Sequence, residues 1–199
     1  LGIYHMAVSL QKGQKISLDK EAGIKLTKII MGLGWDAVKS KGFLGFGGGK
    51  SINIDLDASC ILFDEQRNQV DAVWFRQLKS HDGSVIHTGD NRTGDGDGDD
   101  EQIVVDLGRV PAHVTSLMFT VNSFTGQNFS QIENATCRIV NADNNQEVAR
   151  FNLSTLGAHN AQIMAKLYRH NGEWKMHAIG EIGNGRTFEE LMPQIKPHL

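Results

Sequence analysis

Ser51–Asp64 reads SINIDLDASCILFD, and its hydrophobic period is two. Ile52, Ile54, Leu56, Ala58, Cys60 and Leu62 fall on one side, and Ser51, Asn53, Asp55, Asp57 and Ser59 on the other. Successive side chains of a strand point to opposite faces. The segment therefore predicts a half-buried strand with a polar face turned away from the core. Working outward, Glu65–Gln69 reads as a turn and Val70–Leu78 as a second strand carrying Trp74 and Phe75. Asp82-Gly83 is a tight-turn pair beside the short run Ser84–His87. Further strands are predicted at Ile103–Leu107, Val114–Asn122, Ala135–Asn141 and Glu147–Leu153. Ala161–Tyr168 and Trp174–Ile179 flank Asn171-Gly172, a strong hairpin signal. Many short strands separated by turn signals predict an all-β fold, an antiparallel β-sandwich. A short C-terminal helix is expected over Thr187–Ile195, where Phe188, Leu191, Met192 and Ile195 recur at helical spacing. Thr187 and Glu190 have capping-box spacing, and Pro197 is the expected stop. The Gly-rich run Gly42–Gly49 reads as a loop, and Trp35, Trp74 and Trp174 as packing anchors.

The chain has 199 residues, 40% apolar and 22% charged, with only three prolines. That composition can build a sizeable core, and no linker divides it, so a single domain over residues 6–199 is expected. Met6 reads as a native start, and residues 1–5 as a non-native leader. The start has no basic n-region and long apolar stretch of a signal peptide. No apolar run approaches the roughly 20 residues that span a bilayer. A cytosolic protein is the expectation. Cys60 and Cys137 each sit in an apolar strand-like run, so both are expected as buried thiols.

The net charge of -3 gives no argument for nucleic acid, and it hides an asymmetry. Gly89–Glu101, GDNRTGDGDGDDE, holds six acids against the single base Arg92. Like charges about 4 Å apart repel by about 1 kcal/mol in water and by more near a protein surface, so the run needs a cation. Ca2+ takes about six to eight oxygen ligands. Alternating Asp and Gly supplies carboxylates, together with a backbone free to turn its carbonyls inward. Asn91 and Thr93 add neutral oxygens, and the absence of His and Cys from the run argues against Zn2+ or copper. Asp55 and Asp57 project from one face of their strand and offer a second half to such a site. An EF-hand does not fit: Asp95, Asp97 and Asp99 match its first three acids, but Asp100 stands where Gly is required and Asp106 where Glu is required. Gly49-Lys50-Ser51 imitates the end of a phosphate-binding loop, yet Leu44 occupies the place of its first Gly. No catalytic constellation is present in the sequence, and an enzyme is not expected.

The segments VSLQK (8–12), GLGWD (32–36), DLDAS (55–59), HTGDNRTGDGDGDDE (87–101), VN (121–122), EVARFNL (147–153) and LYRHNGEW (167–174) resemble the TerD-like family of tellurium-resistance and stress proteins. The acidic run and LYRHNGEW together are highly specific. The Gly-rich insert and a differing C-terminal end point to a branch other than the one that gives the family its name. The resemblance implies a β-sandwich that binds Ca2+, with two ions expected. Its ligands would be drawn from Asp55, Asp57, Asp90, Asn91, Thr93, Asp95, Asp97, Asp99, Asp100 and Glu101. It also implies a cytoplasmic bacterial protein, extending to a peripheral place at the inner membrane. Its expected partners are other tellurite-resistance proteins, one of them an integral membrane component. The leading expectation is a Ca2+-dependent sensor or scaffold in a multi-protein assembly. Two alternatives stay open: a Ca2+-dependent membrane-docking module with direct lipid contact, and a metal-assisted hydrolase. The oligomeric state is left open.

Overall fold

The computed structural model describes residues 6–37, 54–89, 99–153 and 157–199. The alternating stretch becomes β4 (Leu56–Asp64), with Leu56, Ala58, Cys60 and Leu62 in the main core. Its other neighbours follow in chain order. They are β1 (Val8–Leu10), β2 (Lys15–Ser17), α1 (Leu18–Ala22) and β3 (Lys28–Ala37) before it. After it come β5 (Gln69–Val73), β6 (Val85–His87), β7 (Glu101–Asp106), β8 (Val114–Ser123) and β9 (Ile132–Asn141). The chain continues with β10 (Gln146–Asn152), β11 (Ala161–His170), β12 (Glu173–Gly183) and α2 (Phe188–Ile195).

The strands form two six-stranded sheets. Sheet A runs β1-β10-β9-β3-β7-β6, and sheet B runs β2-β12-β11-β8-β4-β5. Their inner faces enclose one core that includes Ile29, Met31, Leu33 and Trp35 of β3 and Phe119 and Val121 of β8. Among the described residues, the pairings between strands are antiparallel except β1 with β10, which is parallel. The predicted all-β sandwich is therefore the observed architecture, with one parallel edge added.

The polar face of β4 departs from expectation. Asp57 and Ser59 are buried at 6% and 3% exposure, so the strand is covered on both sides. The cover comes from the chain's end. Phe188, Leu191 and Ile195 of α2 pack with Ile61 and Phe63 of β4, Met118 of β8 and Ile163 of β11 in a second apolar cluster on the outer face of sheet B. Position 61 onward turns that face apolar, which the alternation at 51–59 did not show. The helix forms where its apolar spacing placed it, but the capping box does not close. Thr187 makes no side-chain cap, and only the Glu190 N–H reaches the Thr187 carbonyl, at 3.3 Å. The helix ends at Ile195, and Pro197 lies in a following 3-10 turn.

The Val70–Leu78 strand is shorter than expected. It stops at Val73, and Trp74 and Gln77 then bond each other's backbones at 3.0 Å in a tight reversal. Asn171 and Gly172 both take positive φ, 50° and 76°, as the hairpin between β11 and β12 requires. Arg169 explains much of LYRHNGEW. Its guanidinium donates to the carbonyls of Val110, Pro111 and Val114 and stacks 4.4 Å over the Trp174 ring. Both cysteines are free and buried, one in each sheet.

Candidate metal-binding end of the sandwich

The acidic run joins two neighbouring antiparallel strands, with His87 of β6 opposite Ile103 of β7. Both of its roots are fixed. The Thr88 N–H donates to the Gln102 carbonyl at 3.0 Å, and the Asp100 N–H to the Leu33 carbonyl at 2.8 Å. The Asp100 carboxylate then accepts the Trp35 N–H at 2.8 Å, prolonging the β3–β7 ladder by one side-chain bond.

The three described acids at the second root point to different places. Asp99 lies on the outer face of sheet A. Its carboxylate takes a bidentate pair from Arg138, at 2.8 and 3.0 Å, and a bond from the Gln102 amide at 3.1 Å. It rests directly on Gly32: a Cβ there would stand 2.3 Å from its oxygen, so the GLGWD glycine makes room for the ion pair. Glu101 points inward and is 2% exposed. Its Oε2 accepts the Ala58 N–H of β4 at 2.5 Å and lies 3.3 Å from Nε2 of His87. The Gly89 N–H donates to Nδ1 of the same ring at 3.0 Å, so the neutral ring carries its proton on Nε2 and donates it to Glu101. One histidine thus ties the first root of the run to the second, and Glu101 ties both to sheet B.

That contact brings the run's roots against the start of β4, where Asp55 and Asp57 stand. Asp57 is buried opposite Asn122 of β8, whose amide donates to the Gly185 carbonyl at 2.9 Å. Asp90, Asn91, Thr93, Asp95 and Asp97 lie outside the described residues. Among the described residues, no three His, Cys, Asp or Glu side chains converge as a metal cluster. The structure therefore brings Asp55, Asp57, Asp100 and Glu101 to one end of the sandwich and sets Asp99 over the outer face of sheet A.

His87, Arg138 and Gln102 also take part here, and nothing in their local sequence marks them as site residues. His87 was legible only as the first residue of the motif 87–101. Arg138 carried no local signal, because its partnership depends on the β3–β9 register that sets it opposite Gly32.

The class of protein is a two-sheet sandwich in which an acidic run links β6 to β7, and comparison places the chain in a family. The TerD domain family matches residues 6–194. The chain is 49% identical over 190 residues to the tellurium resistance protein TerZ of Serratia marcescens, covering 94% of this chain and 96% of that one. It is 42% identical over 197 residues to the stress response protein SCP2 of Bacillus subtilis, covering 94% and 98%. The protein belongs to the TerD family of tellurium-resistance and stress-response proteins. A solved homologue of telluride resistance protein (TerD) from Streptomyces coelicolor shares the fold, with TM-score 0.63 at 17% identity over 82% of this chain and 92% of that one. No helix among the described residues is long and apolar enough to cross a membrane.

Proposed function

We propose that the protein binds Ca2+ at the acidic end of its sandwich and acts as a Ca2+-dependent sensor or scaffold in a multi-protein stress-response assembly, without catalysing a reaction. One observation carries the reading. The Glu101 carboxylate accepts the Ala58 N–H at 2.5 Å, so a run of six acids is rooted beside Asp55 and Asp57. The donor chemistry fits a hard cation, since carboxylates dominate it and His87 is turned to Glu101 and Gly89. Asp55, Asp57 and Asp100 would hold the ion together with Asp90, Asn91, Thr93, Asp95 and Asp97. Asp99 and Glu101, already engaged with Arg138 and with Ala58 and His87, would frame the site. A bound ion supplies charge neutralisation and a cross-link between hairpin and β4. The chain's own residues set the roots of the hairpin and the face of β4 that it meets. Cytoplasmic partners, including the integral membrane component, would read the ordered hairpin.

An ion that binds only the folded chain stabilises it by mass action. Ca2+ titration in a background of millimolar Mg2+ should raise Tm by several degrees, and Asp57→Asn with Asp97→Asn should remove most of the heat of binding. Superimposable melting curves in Ca2+ and in chelator would sink the proposal.

A second reading, Ca2+-dependent membrane docking, is favoured by one feature. Phe75 and Phe124 stack edge to face at 5.4 Å, and Phe124 is 37% exposed just past the end of β8, beside the start of β4. Ca2+-dependent co-sedimentation with anionic vesicles, lost in Phe124→Ser, separates it from the first.

A further inference from the structure

On the outer face of sheet B, beyond the patch covered by α2, three basic side chains stand in one cross-strand row. Lys15 of β2 lies opposite His177 of β12, and His177 lies opposite Lys166 of β11. Their chain neighbours Ile16, Met176 and Leu167 belong to the main core, so all three point outward. Neighbouring strands are about 4.8 Å apart, and the row spans roughly 10 Å of backbone. Side chains of that length can close on one small ligand.

Like charges set directly opposite each other destabilise a sheet. Here the arrangement is reinforced by its surroundings. Lys166 is held down in pKa by burial and by the neighbouring charges of Lys15 and Arg67. His177 is held down by burial and by Lys15, Lys166 and His198. Glu181, an acid on this face, pairs with His198. Lys166 is fixed in the row: its Nζ donates to the His198 carbonyl at 2.6 Å and lies 4.9 Å from the Tyr168 ring centroid. Two lysines flank a histidine that burial and their own charge keep neutral, and one lysine is anchored by a carbonyl and a ring; an anion set among them would relieve the repulsion and favour the protonated ring, so the row is suited to receive negative charge.

We propose that Lys15, Lys166 and His177 form a binding site for a phosphate-class anion, presented either by a free phosphorylated small molecule or by a lipid headgroup. The site is independent of the acidic end. Lys166 faces Met118 on β8, whereas Asp57 faces Asn122, four residues and roughly 13 Å further along the strand. Binding there needs no Ca2+.

Calorimetric titration with inorganic pyrophosphate, in chelator, tests the site. The full chain should bind, and Lys15→Gln should weaken binding about tenfold or more, as loss of one charge-assisted contact predicts. Lys15 is exposed, so its substitution leaves packing untouched. Lys166→Gln, checked for an intact melting transition because it also gives up the His198 carbonyl, should do the same. Phosphatidylcholine vesicles with and without phosphatidylglycerol, again in chelator, form the second arm. Pyrophosphate binding lost in both variants assigns a soluble ligand. Vesicle binding that needs phosphatidylglycerol and both lysines assigns the headgroup. No binding in either arm, or binding unchanged by both substitutions, overturns the proposal.

Discussion

Glu101 shows how one acid in an acidic run can serve the fold. It is buried, accepts the Ala58 N–H, and receives the His87 ring proton. Removing a buried charged acceptor leaves its donors unsatisfied, a cost of about 2–5 kcal/mol. Glu101→Ala should therefore lower unfolding stability by that amount in urea titrations performed in chelator. A residue whose only task was to hold a cation would behave in the opposite way there, because its removal would relieve repulsion from Asp100 and its neighbours. Asp99 and Asp100 divide similarly, one taken by Arg138 and the other by the Trp35 N–H. Sequence could place all three acids in one acidic run, because charge density and glycine alternation are local. It could not separate them, because their partners are remote: Arg138 is 39 residues from Asp99, and Ala58 is 43 from Glu101.

At the scale of the element, the Asp71 carboxylate organises the first part of the segment after β5. Asp71 accepts the His81 N–H at 2.7 Å, the Gln77 amide at 2.8 Å and its neighbour Ala72 N–H at 2.9 Å. Burial alone would raise its pKa, but the bonds from His81, Gln77 and Ala72 outweigh burial and the net direction is down. A carboxylate depressed in the folded state contributes stability above its unfolded pKa, near about 3.9, and that contribution is lost as pH falls through the lower folded value. Melting temperature followed from pH 6 downward (a range set by about 3.9 as the unfolded value) should fall less steeply below pH ~4 in Asp71→Asn than in the parent chain. Equal slopes would show that the segment is held by other means. The elements themselves were legible to different degrees. β4, β8 and the β11–β12 hairpin carry clean alternation or an Asn-Gly turn, which are local signals. β3 is poorly legible as a strand although Ile29, Met31, Leu33 and Trp35 alternate, because Gly32 and Gly34 fill the positions between them and glycine disfavours a strand. Gly32 is small for a tertiary reason, the Asp99 carboxylate lying on it, and no local rule contains that. The parallel β1–β10 edge was equally hidden, since three-residue strands carry too little pattern to show a partner.

For the whole molecule, the two sheets and the helix over sheet B determine what the thiols can do. Cys60 sits in β4 of one sheet and Cys137 in β9 of the other, both completely buried in the main core. Burial raises the Cys60 thiol above its ordinary range, reinforced by Asp71, and pushes Cys137 up to about 12. The reactive form of cysteine is the thiolate, so neither side chain presents one at neutral pH in the folded chain. A resistance role through direct thiol reduction of an oxyanion would require the core to open. Reaction with an aromatic disulfide reagent should therefore be absent in the native protein on the timescale of minutes. Both thiols should react in denaturant, and the labelling rate at intermediate urea should track the unfolding transition. Rapid labelling of one thiol under native conditions would show that one sheet opens by itself, and would put that cysteine within reach of solutes. With the core closed, the parts proposed to act on other molecules are the acidic end beside Asp55 and Asp57 and the basic row of Lys15, His177 and Lys166 on the outer face of sheet B. They are opposite in charge and stand on different strands, the first about β4 and β7 and the second on β2, β12 and β11, so each can be removed without disturbing the other.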